Sequence, residues 1–342
     1  MNAKRPIRAV FLLSIALTLG PHALGAQARE GWGDTARRGP VALAAPSVIY
    51  VPAGEFVMGA SAEDIERAQH VCEREGSVLP QLAWRCAGLT DPFEASTLGS
   101  LCESSNFAYI TYREEGQHRV LLGPYAMDRA EVTVDAYWRC VDAGACASIA
   151  VTPGAGTLGA REFPVTMVRW HDAARYCAWA HGRLPTEAEW ERAARGRDGR
   201  VFPWGNLYNP RLANLGIASA TCLSEQDGYA YLAPVGSYPD GATSEGFVDL
   251  AGNAAEWVED AFDDGPEQRN DARPSWAQST SRYPRNTLRI APRNTHPRDD
   301  HRIYRGGSYI APAYQARTSY RARTGAGERA PWLGFRCAYD VW

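Results

Sequence analysis

The segment Arg305-Gly306-Gly307-Ser308-Tyr309-Ile310-Ala311-Pro312-Ala313-Tyr314-Gln315-Ala316 lies near the end of a 342-residue chain, and Leu333-Gly334-Phe335-Arg336-Cys337 follows it. Together these two stretches form the last of five separated sequence blocks. The four earlier blocks are VIYVPAGEFVMG (48–59), GRLPTEAEWE (182–191), FPWGN (202–206) and GNAAEW (252–257). No change of composition between the blocks marks a domain boundary, so they indicate one continuous folded unit.

In this order, the five blocks resemble those of the formylglycine-generating enzymes, the sulfatase-modifying factor family. The resemblance implies an α+β fold with a C-type-lectin-like core, little regular secondary structure and many ordered loops. We therefore predict a single domain of this type over residues 47–342. Residues 60–117 show few periodic signals, and residues 260–300 are rich in Asp, Arg, Asn and Pro, so we predict insertions at about these two places.

In active members of the family, two cysteines five residues apart follow the Gly-Gly-Ser-Tyr segment. This chain has Ala311 and Ala316 at the matching positions. Cu(I) is a soft ion that selects sulfur ligands, and a methyl group can neither bind it nor form a mixed disulfide with a substrate thiol. The resemblance therefore implies the fold without the reaction. We assign no catalytic residues and expect no copper.

We predict a non-catalytic binding or partner protein in which the former active groove takes an unknown protein, peptide or glycan. Ser308, Tyr309 and Tyr314 are expected to line this groove, because aromatic side chains suit such contacts. Two catalytic alternatives stay open: an oxidoreductase that generates formylglycine in sulfatases, and a related non-heme iron enzyme. The iron alternative requires a histidine cluster, whereas the histidines beyond the N-terminal segment are scattered at His70, His118, His171, His181, His296 and His301.

The resemblance also implies two structural calcium sites in oxygen-rich loops. The side chains of Asn214 and Asp227 and the backbone carbonyls of Leu215 and Tyr229 match the first site. Calcium takes about six to eight oxygen ligands in flexible geometry, so loop carbonyls, a few carboxylates and water can complete such a shell. An ordinary turn at Asp227-Gly228 is the alternative interpretation.

The carboxylates of Asp249 and Glu256 and the backbone carbonyls of Gly252 and Ala254 match the second calcium site. Asp249 stands where the family has an amide side chain. A carboxylate keeps an oxygen at this position and adds negative charge, so we expect the site to be retained. The alternative is that Glu256 caps a loop or pairs with an arginine.

The N-terminus has the layout of a targeting segment. A basic start, an apolar run and a small-x-small cleavage site follow one another at residues 4–8, 9–20 and 26–28. This order predicts a signal peptide over residues 1–28, followed by a linker of small and polar residues over 29–46. The protein is then exported to the periplasm or the extracellular space, with an uncleaved N-terminal anchor as the alternative.

The charge that remains after cleavage limits the partners. Cleavage leaves 33 basic against 39 acidic residues, a formal net charge of −6, which disfavours nucleic acid and anionic lipid, and we expect no membrane insertion. Lys4 is the chain's one lysine and lies in the signal peptide. The mature protein therefore has no lysine for Schiff-base chemistry or for a phosphate-binding loop.

All eight cysteines lie beyond the predicted cleavage site, and an even number in an exported chain favours disulfides over free thiols. Cys140 and Cys146 flank a short turn, which predicts a local bridge. Cys177 and Cys337 lie in family motifs, where they resemble a disulfide pair. None of the spacings matches a zinc site. The pairing stays open for Cys72, Cys86, Cys102 and Cys222.

Local signals predict three helices. Thr133 caps the first, and Thr186 with Glu189 forms a capping box at the start of the third. The second covers residues 170–181, and Gly182 is expected to end it in the left-handed conformation.

The first block has the pattern of two strands. Residues 48–59 predict a hairpin that turns at Pro52-Ala53-Gly54, and residues 117–128 return to strand character.

Overall fold

The computed structural model describes residues 48–76, 116–149, 160–216, 227–262, 288–290 and 301–341. All of them belong to one compact unit that extends from residue 44 to residue 342. The predicted signal peptide and nearly all of its linker precede that unit, lie outside the described residues and stay predictions. None of the helices in the described ranges combines the length and the apolar character needed to cross a membrane.

Within these ranges the chain forms four α-helices and ten short strands between long loops, which confirms the predicted α+β, loop-rich fold. The helices are α1 (Ala62–Gly76), α2 (Val134–Asp142), α3 (Trp170–Trp179) and α4 (Glu187–Arg195). The strands are β1 (Val48–Val51), β2 (Gly54–Met58), β3 (His118–Leu122), β4 (Tyr125–Asp128), β5 (Ala255–Ala261), β6 (Leu288–Ile290), β7 (His301–Arg305), β8 (Arg321–Gly325), β9 (Leu333–Gly334) and β10 (Ala338–Asp340).

These strands form three small sheets in the described part of the chain. The first is antiparallel and has the order β1-β4-β10. In the second, β2 pairs antiparallel with β3, which pairs parallel with β6. The third has the order β8-β7-β5-β9, with β5 and β9 parallel and the other pairs antiparallel.

The predicted hairpin over residues 48–59 is wrong, although both of its strands exist. β1 pairs with β4 and β2 pairs with β3, and both pairs keep one register, with Met58 opposite His118. The two pairs therefore form one interrupted antiparallel ribbon. In this register Pro52 lies opposite Pro124, and the ladder breaks there because neither residue has an N–H to donate. Pro52 thus interrupts a long strand instead of reversing the chain.

Helices α2 and α4 begin where the capping signals predict. The Thr133 side chain accepts a hydrogen bond from the Ala136 N–H at the start of α2. At the start of α4, Thr186 and Glu189 exchange both hydrogen bonds of a capping box. These bonds satisfy N–H groups that have no partner within the first turn of a helix.

Helix α3 ends differently from the prediction. His181, and not Gly182, has the left-handed conformation, with a φ of 64°. Gly182 serves a different purpose, because a Cβ at this position would lie 2.5 Å from the Ala338 carbonyl oxygen. The glycine lets the end of α3 approach β10.

Helix α1 lies in the predicted insertion over residues 60–117, where the sequence gives little periodic signal. Its Asp64 carboxylate accepts a hydrogen bond from the Arg195 guanidinium at 2.9 Å, which ties α1 to the end of α4. Residues 77–115 lie outside the described residues. The inner face of α1 joins an apolar cluster with later parts of the chain, made of Ala68, Cys72, Tyr314, Tyr320 and Ala322.

The second predicted insertion, at about residues 260–300, overlaps the end of β5. Asp260 and Ala261 are buried residues of β5. Further along, β6 adds a strand beside β3. The rest of this segment, residues 263–287 and 291–300, lies outside the described residues.

Both disulfides that the sequence predicts are present. Cys140 bonds to Cys146, and Cys177 bonds to Cys337 across a separation of 160 residues. Cys72 is disulfide-bonded as well. The partner of Cys72 lies outside the described residues. Cys86, Cys102 and Cys222 lie there too, so the pairing of Cys72, Cys86, Cys102 and Cys222 stays open.

Helix α4 is buried on all sides, and arginines from β7 and β8 neutralise its Glu187 and Glu191 side chains. Arg305 donates hydrogen bonds to Glu187 at 2.6 Å and to Glu191 at 2.7 Å. Arg321 donates two more to Glu187. Burial alone would raise the pKa of Glu187, but the Arg321 and Arg305 guanidiniums outweigh it and lower that pKa.

Asp260 lies beside this network, but its pKa is shifted in the opposite direction from that of Glu187. It accepts a hydrogen bond from the Glu187 backbone N–H at 2.6 Å. Burial, followed by the charges of Glu187 and Glu259, raises the pKa of Asp260 to about 7, against smaller opposing effects of the Glu187 backbone N–H and of Arg321. The folded protein therefore keeps a proton on Asp260 between about pH 4 and pH 7 that the unfolded chain has lost, and its stability falls as the pH rises through this window.

We expect Asp260→Asn, which imitates the protonated carboxyl, to raise the melting temperature at pH 8 and to leave it nearly unchanged at pH 4. The stabilisation at pH 8 is at most about 4 kcal/mol. The exposed Asp240 provides a matched control, since Asp240→Asn replaces a surface side chain and should change the melting temperature little at either pH. Equal shifts for Asp260→Asn at pH 4 and pH 8 would contradict the raised pKa.

Candidate functional site

The loop after β7 carries the Gly-Gly-Ser-Tyr segment and both alanines. Gly306 and Gly307 have φ values of 93° and 68°, which glycine adopts without strain. A Cβ at Gly306 would lie 3.1 Å from the Trp190 ring, and one at Gly307 would lie 3.2 Å from the Gln315 backbone. The two glycines therefore let this loop fold back on itself and pack closely against α4.

Ala311 and Ala316 are both buried, with exposed fractions of 6% and 0%. Ala316 belongs to an apolar cluster that includes Val201 and Leu215. The Ala311 carbonyl accepts a hydrogen bond from the Gly216 N–H at 3.1 Å. Every cysteine among the described residues is in a disulfide, so none of them supplies a free thiol here. The matching positions of the cysteine pair thus hold two buried methyl groups.

The three residues predicted to line a groove divide between surface and interior. Tyr309 is partly exposed, and its backbone N–H donates to the Asn253 carbonyl at 2.9 Å. Ser308 and Tyr314 are buried, and the Tyr314 ring packs against Tyr320 with the centroids 5.9 Å apart. The Tyr314 ring packs under α1, and the predicted groove role of Ser308 and Tyr314 stays a prediction.

Two exposed apolar side chains beside Tyr309 escaped the sequence analysis. Tyr231 is 45% exposed and Ile310 is 37% exposed. The Tyr231 and Tyr309 rings meet edge to face, with centroids 6.2 Å apart. We call Tyr231, Tyr309 and Ile310 the tyrosine surface; it adjoins Ala311. Tyr231 follows the predicted calcium loop by two residues, and nothing in its neighbours signals this contact.

In the first predicted calcium site, Asn214 and Asp227 come together around Leu215. Asp227 accepts hydrogen bonds from the Leu215 N–H at 3.1 Å and the Tyr229 N–H at 3.2 Å. Burial raises the pKa of Asp227 against these bonds. The Asn214 amide donates to the Tyr231 carbonyl at 2.8 Å, while its buried Oδ1 has no hydrogen-bond partner. A buried oxygen without a partner calls for a cation or a water, so these residues fit calcium.

At the second predicted site, Glu256 is engaged by other residues. Its carboxylate accepts both arms of the Arg336 guanidinium at 2.6 and 2.7 Å, and the Trp190 Nε1–H donates to it at 2.7 Å. Glu256 therefore pairs with an arginine, as its alternative interpretation predicted. Asp249 makes a separate contact and accepts a hydrogen bond from the Gly236 N–H at 2.5 Å.

Gly252 and Ala254 lie in the turn between Asp249 and β5. A Cβ at Gly252, which has a φ of 77°, would lie 2.1 Å from the Asn214 carbonyl oxygen. The Ala254 N–H donates to the Glu131 carboxylate at 3.4 Å. This turn therefore places the backbone of the second predicted site in close contact with the Asn214 backbone of the first predicted site.

Two buried polar residues that the sequence analysis missed connect the two sites. The Asn253 side chain accepts a hydrogen bond from the Asn214 amide at 3.1 Å and donates one to Glu131 at 3.0 Å. Burial, with the Asp249 charge next, raises the pKa of Glu131 well above its usual range. Burial likewise raises the pKa of Asp249. Asn253 lies in a family block, but no local pattern pairs it with a glutamate 122 residues earlier.

The histidines in the described ranges are dispersed over α1, β3, β7 and the region of α3. Among the side chains that the structure describes, no three of His, Cys, Asp or Glu are arranged to hold a metal ion. The non-heme iron alternative gains no support from these residues. A calcium shell would have to rely on backbone carbonyls and water in addition to carboxylates.

Comparisons with known proteins identify the family of this chain. Residues 96–341 match the family model of the sulfatase-modifying factor enzyme 1-like domain. The chain belongs to this family. A formylglycine-generating enzyme of Thermomonospora curvata is 30% identical over 321 residues, which cover 90% of this chain and 97% of that enzyme.

Other similar proteins of the sulfatase-modifying factor family include an inactive C-alpha-formylglycine-generating enzyme 2 of Bos taurus. It is 33% identical over 193 residues, 54% of this chain, and the match spans 53% of its length, about half. The structure of PvdO from Pseudomonas aeruginosa has a TM-score of 0.56 and 22% identity, and covers 86% of this chain and 94% of that one. That likeness concerns the fold alone.

Proposed function

We propose that this sulfatase-modifying factor family member is an exported protein that does not generate formylglycine and binds a protein, peptide or glycan beside Ala311, with calcium as a structural ion. The observation that carries the proposal is the burial of two methyl groups at the positions matching the cysteine pair. An oxidase of this kind needs two sulfur ligands for Cu(I). Ala311 and Ala316 supply neither, and the cysteines of the described residues are held in disulfides.

The surroundings of Ala316 support the loss of redox chemistry. Its neighbours Val201, Phe202, Leu215 and Ala251 are apolar and buried, so a metal ion there would lack both ligands and compensating charge. The bovine relative that is named inactive provides a precedent within the family.

The tyrosine surface supports a binding role. Tyrosines combine a rigid apolar ring with a hydroxyl group, which favours them at recognition sites. Tyr231 and Ile310 are exposed next to a loop held by the hydrogen bond from the Tyr309 N–H to the Asn253 carbonyl. A partner that covers this surface would bury apolar area without rearranging the backbone.

Calcium fits the first site best, where Asn214 and Asp227 would hold it. The ion would supply positive charge to the unpaired Asn214 Oδ1 and to a carboxylate whose pKa is raised by burial. Asn214 and Asp227 lie outside the helices and strands, so a shared ion would cross-link segments that lack helix or sheet hydrogen bonds. The expected role is stability and not chemistry.

The alternative function is formylglycine generation, and the observation that favours it is the 30% identity over nearly the whole Thermomonospora enzyme. One experiment separates the two. We expect the purified protein to leave the cysteine of a Cys-x-Pro-x-Arg peptide unchanged in the presence of oxygen and Cu(I), as measured by mass spectrometry. Conversion of the peptide by the wild-type protein would refute the proposal.

The double variant Ala311→Cys/Ala316→Cys tests the physical reason. We expect it to compete with a Cu(I) chelator for one ion, because two thiolates are restored in the family spacing. The single variant Ala311→Cys is the matched control and should compete far more weakly. Equal competition by wild type and double variant would show that the two alanines do not determine copper binding.

A further inference from the structure

We propose that the outer edge of β1 is a self-association surface, through which two copies of this chain pair antiparallel. The pairing joins the two β1-β4-β10 sheets into one sheet with the order β10-β4-β1-β1-β4-β10. It uses neither the loop of Ala311 nor the predicted calcium loops, so it is separate from the proposed function.

Strand β1 is the open edge of its sheet in the described part of the chain. It lies at one end of the order β1-β4-β10, with β4 as its partner. At the other end, β10 is bonded further: the Arg183 N–H donates to the Ala338 carbonyl at 2.9 Å, and the Ala338 N–H donates to the Arg183 carbonyl at 2.8 Å. An edge strand presents a row of outward N–H and C=O groups on which another strand can pair. Among these elements, β1 is therefore the one on which the sheet can grow.

The side chains of β1 are apolar on both faces. Val51 is 1% exposed and belongs to a core cluster against which Ile49 packs. Val48 and Tyr50 point to the opposite face, since side chains alternate along a strand, and they are 47% and 59% exposed. Soluble proteins usually protect such an edge with charged residues or a bulge. Residues 39–54 contain no charged residue, so β1 lacks the charged protection and is expected to be covered.

The pattern of β1 is complementary to itself. Two copies paired antiparallel about Ile49 place Val48 of each opposite Tyr50 of the other, on the exposed face. A pair of an aromatic and a β-branched side chain stabilises neighbouring strands, and the two-fold symmetry produces this pair twice. A register shifted by one residue would set Val48 opposite a residue of the core face, Ile49 or Val51.

Prolines select the same register. Pro46 and Pro52 each stand three residues from Ile49 in the sequence. Proline has no N–H for a strand ladder and ends the pairing where it occurs. A ladder centred on Ile49 therefore uses the whole stretch between the two prolines, whereas a ladder centred on Val48 or Tyr50 loses residues at one end.

The short length of β1 sets the strength of this association. A strand of four residues buries much less than the roughly 1,600 Å² of a standard interface, so the dimer belongs to the weak class. We expect a reversible equilibrium that depends on protein concentration. An extended peptide could add to the same edge, but it would not require the two-fold pattern around Ile49.

Sedimentation equilibrium of the purified protein, from micromolar to near-millimolar concentration, tests the proposal. We expect wild type to shift from monomer to dimer over this range. Tyr50→Lys should raise the dissociation constant of the dimer at least about tenfold, because it removes both aromatic pairs and adds charge to the edge. Val57→Lys is the matched control, since Val57 is 37% exposed on β2 beyond Pro52, and it should leave the dissociation constant unchanged.

A double variant tests the register. Val48→Lys/Tyr50→Glu places a lysine opposite a glutamate at both symmetric pairs, so it should dimerise more tightly than Tyr50→Lys. Both variants should melt near the wild-type temperature, because the replaced side chains are exposed. A wild type that stays monomeric throughout, with or without a captured peptide, would overturn the proposal. So would a dimer that Tyr50→Lys leaves intact, or a double variant that associates no better than Tyr50→Lys.

Discussion

Arg336→Ala is expected to lower the free energy of unfolding by about 3–5 kcal/mol, the usual loss when one partner of a buried ion pair is removed. Arg336 is 0% exposed and donates two hydrogen bonds to Glu256. It also donates to the backbone carbonyls of Asp128, Arg129 and Val248, so it connects β5 with the ribbon and a distant loop. The variant would leave a charged Glu256 in the interior with Trp190 as its remaining donor.

Thermal unfolding followed by circular dichroism measures this loss. At about 2–4 °C per kcal/mol the melting temperature should fall by roughly 6–20 °C. Arg336→Lys should recover little of it, since an ammonium group cannot span the carboxylate and three carbonyls at once. Arg161→Ala is the matched control, because Arg161 is 84% exposed and pairs with Asp135 at the surface, where such pairs contribute less than about 1 kcal/mol. A loss for Arg336→Ala no larger than that of the control would contradict the structural role.

Removal of the Cys177–Cys337 disulfide is expected to have a comparable effect. This bond closes a loop of 160 residues, and cross-linking so long a loop stabilises the fold by about 5 kcal/mol in the chain-entropy model. Both cysteines are 0% exposed and lie in the cluster of Tyr137, Tyr176 and Phe335. The bond fixes α3 to the segment before β10.

The second disulfide provides the comparison. Cys140 and Cys146 are separated by 6 residues, for which the same model gives about 2 kcal/mol. We therefore expect Cys177→Ala/Cys337→Ala to lose roughly twice as much stability in urea as Cys140→Ala/Cys146→Ala. Equal losses would mean that loop closure does not govern either bond, and that local packing of the sulfurs does.

The loop that carries Tyr309 and Ala311 is held in place by buried polar contacts. The charged network of Glu187, Glu191, Arg305 and Arg321 surrounds α4, and Asn253 forms hydrogen bonds with both Asn214 and Glu131. Both arrangements position the loop that carries Tyr309 and Ala311. A surface held in this way loses little conformational entropy when a partner binds, which suits recognition as well as catalysis.

Several local features of this fold were readable from the sequence. The capping box of Thr186 and Glu189 and the cap at Thr133 depend on residues within one turn, so their pattern is enough to place them. The short Cys140–Cys146 bridge is local in the same sense. The resemblance to the family allowed the long-range Cys177–Cys337 pair to be predicted and showed where the two alanines stand. Helix α1 was missed because its inner face is narrow and interrupted by charged residues.

Charges and strand pairs that join distant parts of the chain could not be read in this way. Glu256 has Arg336 as its partner across 80 residues, and Glu131 meets Asn253 across 122. The chain contains many arginines and acids of the same chemistry, and which of them meet depends on how the loops pack. Likewise, Pro52 reads as a turn until its position opposite Pro124 is known. Local sequence thus specified the helix starts and the alanines at positions 311 and 316. Packing assigned the buried charges, the interior place of Tyr314 and the contacts of Asn253, because each of these depends on residues that are close in space and far apart in the chain.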